Sequence, residues 1–134
     1  MRRFHVCLIF FFQAEYGIRD LVRSRGLGDV YKRQVGDIAL LGVGVLGWPQ
    51  PANPSGSGWR IALASVGPTP LMAPEAAALL AENTDDEAVE AAAAAVMNAS
   101  RPIDDVRASG AYRQAMVRVL ARRAIEDVLA RLPM

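Results

Sequence analysis

Between Asp37 and Leu46 the run Asp-Ile-Ala-Leu-Leu-Gly-Val-Gly-Val-Leu is apolar at both alternating sets of positions, the pattern of a β-strand covered on both faces. Trp48 to Gly58 then carries Pro49, Pro51, Pro54 and Gly56, which predicts an exposed loop. A second strand is predicted over Trp59–Val66 and ends at Pro68-Thr69-Pro70. The two strands are expected to pair as an antiparallel hairpin with a long tip. Helical patterning follows. Glu75–Ala81 is a short Ala/Leu helix with acid near its first turn, which suits the helix dipole. Thr84-Asp85-Asp86-Glu87 spells a capping box and predicts a helix from there to about Asn98-Ala99. Ser109 is a candidate cap for a last helix, Ala111 to Arg131. In it Tyr112, Met116, Val119, Leu120, Ala124, Val128 and Leu132 recur at three and four, while Arg113, Arg118, Arg122 and Asp127 fall largely on other faces. Strands followed by helices predict an α+β fold, a small antiparallel β-sheet packed against about three α-helices.

Composition narrows the function classes. A chain of 134 residues, 52% hydrophobic, fits one globular domain that needs no staple. The single cysteine, Cys7, can build neither an internal disulfide nor a four-ligand zinc site. A formal charge of +1 lacks the electrostatic footprint of a nucleic-acid binder. No apolar run reaches the ~20 residues of a membrane span.

The balance conceals a seam. Residues 1–34 hold seven Arg or Lys against three Asp or Glu, and residues 35–134 hold eight Arg against eleven Asp or Glu. The chain's one lysine, one histidine and one cysteine (Lys32, His5, Cys7) all lie in the first piece. Arg2-Arg3 followed by apolar Phe4–Phe12 has the look of a secretory signal, yet no small-x-small cleavage site follows. Residues 13–34 instead resemble translated sequencing adapter. Gln13-Ala14-Glu15-Tyr16-Gly17-Ile18-Arg19-Asp20 is similar to a flow-cell adapter with Tyr16 in place of its Asp. Ser24 to Gln34 is similar to a transposase adapter, and Leu21, Val22 and Arg23 stand where the index lies. That resemblance implies that residues 1–34 are non-native, form no domain, carry no function and make few contacts with the remainder.

Three candidate chemistries occur in residues 35–134. Gly42-Val43-Gly44-Val45-Leu46-Gly47 has the spelling of a dinucleotide-binding turn, but Trp48-Pro49-Gln50-Pro51 follows where a helix N-terminus should receive the pyrophosphate. Glycine-rich strand packing is the better reading. Asp85-Asp86-Glu87 and Asp104-Asp105 are carboxylate clusters with no histidine after Val35 to complete a transition-metal set, so capping and solvation account for them. Arg118, Arg122 and Arg123 form a basic strip without interleaved aromatics, as on a solvated or subunit-facing helix.

Gly36-Asp37-Ile38-Ala39, Arg60-Ile61-Ala62-Leu63 with Val66-x-Pro68-Thr69-Pro70, and Pro102-Ile103-Asp104-Asp105-Val106-Arg107-Ala108-Ser109 with Tyr112-Arg113 and Arg123-Ala124 together resemble one domain. It is the C-terminal domain of the FAD-binding (medium) subunit of the carbon monoxide dehydrogenase and xanthine dehydrogenase family of molybdenum hydroxylases. The resemblance runs from about Gly36 to Leu132 and makes residues 35–134 the domain. It implies a cytoplasmic oxidoreductase in which a molybdopterin-binding large subunit and an iron–sulfur small subunit pass electrons to FAD. Most of the FAD grip in that family comes from a preceding domain, so the chain alone is expected to be inactive. By the same resemblance Asp37 and Ile38 border the cofactor, and no catalytic or metal residue is assigned. A stand-alone α+β module that binds another protein, without redox chemistry, is the alternative.

Overall fold

The computed structural model describes residues 6–12, 22–23, 41–64, 66–104 and 108–132. In chain order these hold β1 (Val6–Phe12), β2 (Val22–Arg23), β3 (Leu41–Pro49), β4 (Ser57–Ala64), β5 (Leu71–Met72), α1 (Pro74–Glu82), α2 (Asp86–Ala99) and α3 (Gly110–Arg131). The strands make one antiparallel sheet in the order β2-β1-β3-β4-β5. α1 packs under β4, α3 under β3 and β1, and α2 against both other helices. Three helices on a small antiparallel sheet is the architecture the sequence predicts.

Side-chain alternation decides which face they cover. Leu41, Val43 and Val45 of β3 and Trp59, Ile61 and Leu63 of β4 point into one core with Leu80, Val96, Leu120 and Ile125 of the helices. Gly47 belongs to this face. A Cβ there would lie 2.6 Å from Val128 Cγ1 of α3, so the glycine sets how closely strand and helix approach. The opposite face is not covered as the sequence suggests: Gly44, Leu46, Trp48, Ala62 and Ala64 are only partly buried, and Arg60 is exposed. Glycine and alanine supply much of the apolar run on that side, and neither demands burial.

The hairpin ladder also runs further than expected, to Pro49 opposite Ser57, leaving a loop of residues 50–56. Proline survives here because of its parity. Ala73 N–H donates to the Ile61 carbonyl at 3.0 Å, so odd-numbered residues of β4 turn their backbone groups toward β5 and even-numbered ones toward β3. Through the pairs Trp48 with Gly58 and Gly44 with Ala62, even-numbered residues of β3 bond to β4. Pro49 faces the other way, and its missing N–H costs that ladder nothing. Trp48 lies across Gly58, where a Cβ would come within 2.3 Å of the indole.

The helix starts follow from side-chain caps. Asp85, rather than Thr84, caps α2: its Oδ1 accepts from Ala88 N at 2.8 Å. Asn83 Oδ1 accepts the Asp85 N–H, the part that a Glu at the third helical position plays in a capping box. Ser109 caps α3 as expected, accepting from Tyr112 N at 3.1 Å. The buried stripe of α3 differs from the predicted one. It is Arg113, Met116, Val117, Leu120, Ala121, Ala124, Ile125 and Val128, while Tyr112 and Val119 are exposed.

The expectation of few contacts for residues 1–34 fails at Val6–Phe12. These pair with Leu41–Gly47 over seven consecutive residues. The physical reason is that β3 carries a row of backbone groups on the side away from β4, and an extended apolar segment can satisfy them whatever its origin.

Candidate functional site

Of the segments that carry the resemblance, the one that contains Val66 and the described part of the one that starts at Pro102 meet at one end of the sheet. Gly42, near the start of β3, pairs with Ala64 at the end of β4. Val66, just beyond, accepts the Arg101 N–H at 2.6 Å, which ties the α2–α3 connection to it. From that connection Asp104 Oδ1 accepts the Gly110 N–H. A Cβ at Gly110 would sit 3.2 Å from both the Pro102 carbonyl and Asp104 Oδ1, so glycine at the start of α3 permits the close approach. Arg113 completes the brace, donating from Nη1 to the Ile103 carbonyl at 3.2 Å.

Arg113 is 5% exposed, and the sequence reading missed it. A signal existed. Arg113 stands three and four residues before Met116 and Val117, in phase with the buried stripe, and its charge hid the period. Its guanidinium holds a loop carbonyl while its stem fills core space. Ile103, on the same loop, is 71% exposed. Ser57 was missed as well: it is buried, and its Oγ accepts from Trp59 Nε1 at 2.8 Å.

The other candidates serve structural ends. The glycine-rich run enters a β-hairpin instead of a helix, so it offers no phosphate site. Asp85 and Asp104 cap helices. Arg118 Nε donates to Glu90 Oε1 at 2.8 Å, and Arg122 bridges Glu90 and Glu126 at 2.9 Å each, which joins α2 to α3. The hydrogen bond from Arg118, helped by the Arg118 and Arg122 charges, holds the Glu90 carboxyl below its ordinary range. Hydrogen bonding to Glu126 raises Arg122. Asp37, Ile38 and Asp105 lie outside the described residues. Among the described residues no cluster of His, Cys, Asp and Glu could hold a metal ion, and no helix is long and apolar enough to cross a membrane.

Two open hollows flank Ala73-Pro74. One, about 210 Å³, lies between Glu75, Asn98 and Arg101, and the other, about 190 Å³, between Trp59, Met72 and Ala77. Both fall below the ~300 Å³ at which pockets for drug-sized ligands begin. Neither of these two hollows by itself takes a whole flavin dinucleotide.

A family model for the CO dehydrogenase flavoprotein C-terminal domain matches residues 29–128. Among curated proteins there is no match. Among solved structures the chain is similar to reconstituted CO dehydrogenase from Oligotropha carboxidovorans. That match has 26% identity and a TM-score of 0.68 over 95% of this chain and 37% of that one. It is also similar to CO dehydrogenase from Hydrogenophaga pseudoflava lacking the Mo-pyranopterin moiety, with 36% identity and a TM-score of 0.63 over 74% and 34%. Quinoline 2-oxidoreductase from Pseudomonas putida 86 shares the fold at 23% identity and a TM-score of 0.58, over 69% and 32%. The chain spans about a third of the length of the solved chains it matches. With most of its length inside the family match, the chain belongs to the CO dehydrogenase flavoprotein C-terminal domain family.

Proposed function

We propose that residues 35–134 are the C-terminal part of the FAD-binding subunit of a cytoplasmic molybdenum hydroxylase of the carbon monoxide and xanthine dehydrogenase group. In this reading a molybdopterin-binding large subunit and an iron–sulfur small subunit deliver electrons to FAD, which passes them to an acceptor such as NAD or a quinone. Residues 1–34 are a non-native, adapter-derived extension, and Asp37 and Ile38 border the flavin in the complete subunit. The observation that carries the reading is the family match over 29–128, within which Arg101 bonds to Val66 and Arg113 to Ile103.

The domain's own part is to present a rigid wall. The Arg113 brace fixes the loop that holds Ile103, and α3 stiffens the sheet from below. Flavin held by one wall alone loses too much freedom on binding to be retained. The chain is therefore expected to purify colourless and to show negligible FAD affinity in equilibrium dialysis, and micromolar or tighter retention would overturn the reading. Genomic DNA upstream of the codon for Val35 tests the rest. An in-frame, glycine-rich FAD domain beside genes for the other two subunits is expected, and a start codon close to Val35 with neither neighbour would favour a stand-alone module.

A further inference from the structure

The side of β4 turned away from β3 is paired over only part of its length. By the parity set out above, Trp59, Ile61 and Leu63 direct their backbone groups to this side. β5 meets Leu63 and Ala62, and Ala73 adds its bond to the Ile61 carbonyl, but at Pro74 the chain turns into α1. Trp59 is left beyond that reach, and Pro74, which has no N–H, offers it no donor. Among the described residues neither the N–H nor the C=O of Trp59 has a backbone partner. The next outward residue, Ser57, is closed by its own loop: its N–H donates to Ser55 Oγ and its carbonyl accepts from Asn53 Nδ2. The gap is therefore one residue long.

The hollow of about 190 Å³ lies against this gap and touches Trp59, Arg60, Ile61, Pro74 and Ala77. The side chains of Trp59 and Ile61 point to the helix side and that of Arg60 to the other, so a space that touches all three runs along the outer edge of the strand. Trp59 is only 6% exposed, and its two backbone groups are thus largely withdrawn from bulk water without being paired. The Arg60 side chain is exposed and makes no ion pair or hydrogen bond among the described residues. An edge donor, an edge acceptor and a cation therefore share one small hollow.

We infer that this hollow is a docking site for an extended peptide segment of the pattern acid, small apolar, acid. The middle residue pairs its own N–H and C=O with those of Trp59, and alternation then turns its side chain to the helix side, where Ala77 leaves room for a small apolar group. The same alternation puts both neighbouring side chains on the face of Arg60, whose charge they complement. The site does not depend on the redox reading of the domain.

Titration of the full chain with the peptide acetyl-Asp-Val-Asp-amide, followed by amide NMR, tests it. Shifts are expected at Trp59, Arg60 and Ile61, saturating in the millimolar range, with Leu120 and Ala124 of α3 unmoved. Acetyl-Asn-Val-Asn-amide should bind at least about twofold more weakly, the scale of one exposed ion pair. Arg60→Gln, a change at an exposed side chain, should erase that preference and leave the α3 resonances in place. N-methylation of the valine amide removes the donor to the Trp59 carbonyl and should abolish the shifts. Absence of shifts with the parent peptide would overturn the inference, as would equal binding of the N-methylated peptide or the same shifts with acetate alone. A preference for Asp that survives Arg60→Gln would overturn it too. So would Trp59 shifts that follow protein concentration without peptide, since a second copy would then be the occupant.

Discussion

At the tip of the β3–β4 hairpin the turn is shaped by near neighbours: Gln50 N–H to the Gly56 carbonyl, Gly56 N–H to Asn53, and Asn53 Nδ2 to Ser57. At the other end Arg101 reaches back to Val66, Asp104 forward to Gly110, and Arg113 to Ile103. The first end is closed by turn chemistry, with Gly56 at a φ of +76° where a side chain would strain. The second is closed by a buried cation and by contacts that exist only once α2 and α3 have packed. Apart from the Ser55 N–H bond to the Ala81 carbonyl of α1 at 3.0 Å, the tip's closure is local and can form before the fold does, whereas the motif end is a product of the fold and should report on its integrity.

Arg113→Met gives the largest expected effect. It keeps much of the buried stem and deletes the donor to the Ile103 carbonyl. A hydrogen bond that involves a charged group is worth about 1.5–3 kcal/mol, so urea unfolding of the full chain should show a loss of that size. A loss below about 0.5 kcal/mol, the range of ordinary surface substitutions, would mean that the loop is held without Arg113.

Ser57→Ala applies the same operation at the tip. It leaves the buried Trp59 indole N–H without its acceptor, a change expected to cost about 1–2 kcal/mol. The effect should stay local, visible as a shifted tryptophan emission with α3 unaltered. If it matched Arg113→Met in size and also loosened Ile103, the two ends would be one cooperative unit and the contrast would fail.

What was legible in the sequence follows the same division. Ser109, Asp85 and the spacing of Leu120, Ala124 and Val128 act within a turn of their own positions, so α2 and α3 could be read directly. The Arg101 N–H to Val66 bond is backbone to backbone and could be made by any residue pair, so nothing in the sequence marks it. Arg113 was in phase with the core but charged, and a polar label outweighed its period. On β3, counting Gly44 as apolar suggested two covered faces, although a glycine there fits an open face equally well. For the site, resemblance identified the segment that contains Val66 and the one that starts at Pro102, while their meeting is a long-range fact. Asp37 and Ile38 remain assigned by resemblance alone.

The smallest expected effect lies midway between the two ends, where Glu90 joins α2 to Arg118 and Arg122 of α3. Glu90 is held below its ordinary value of 4.5 chiefly by the hydrogen bond from Arg118, so its folded form releases its proton more readily than its unfolded form does. A carboxylate with a depressed folded value contributes stability that is fully present above the unfolded value and is lost as the pH falls through the folded one. Glu90→Gln should therefore lower Tm slightly at neutral pH, and the difference from the parent chain should vanish as the pH drops well below 4.5. Solvent reaches all three side chains, so added salt should shrink the neutral-pH difference as well. A difference that survived both acid and salt would show that Glu90 joins the helices by packing rather than by charge.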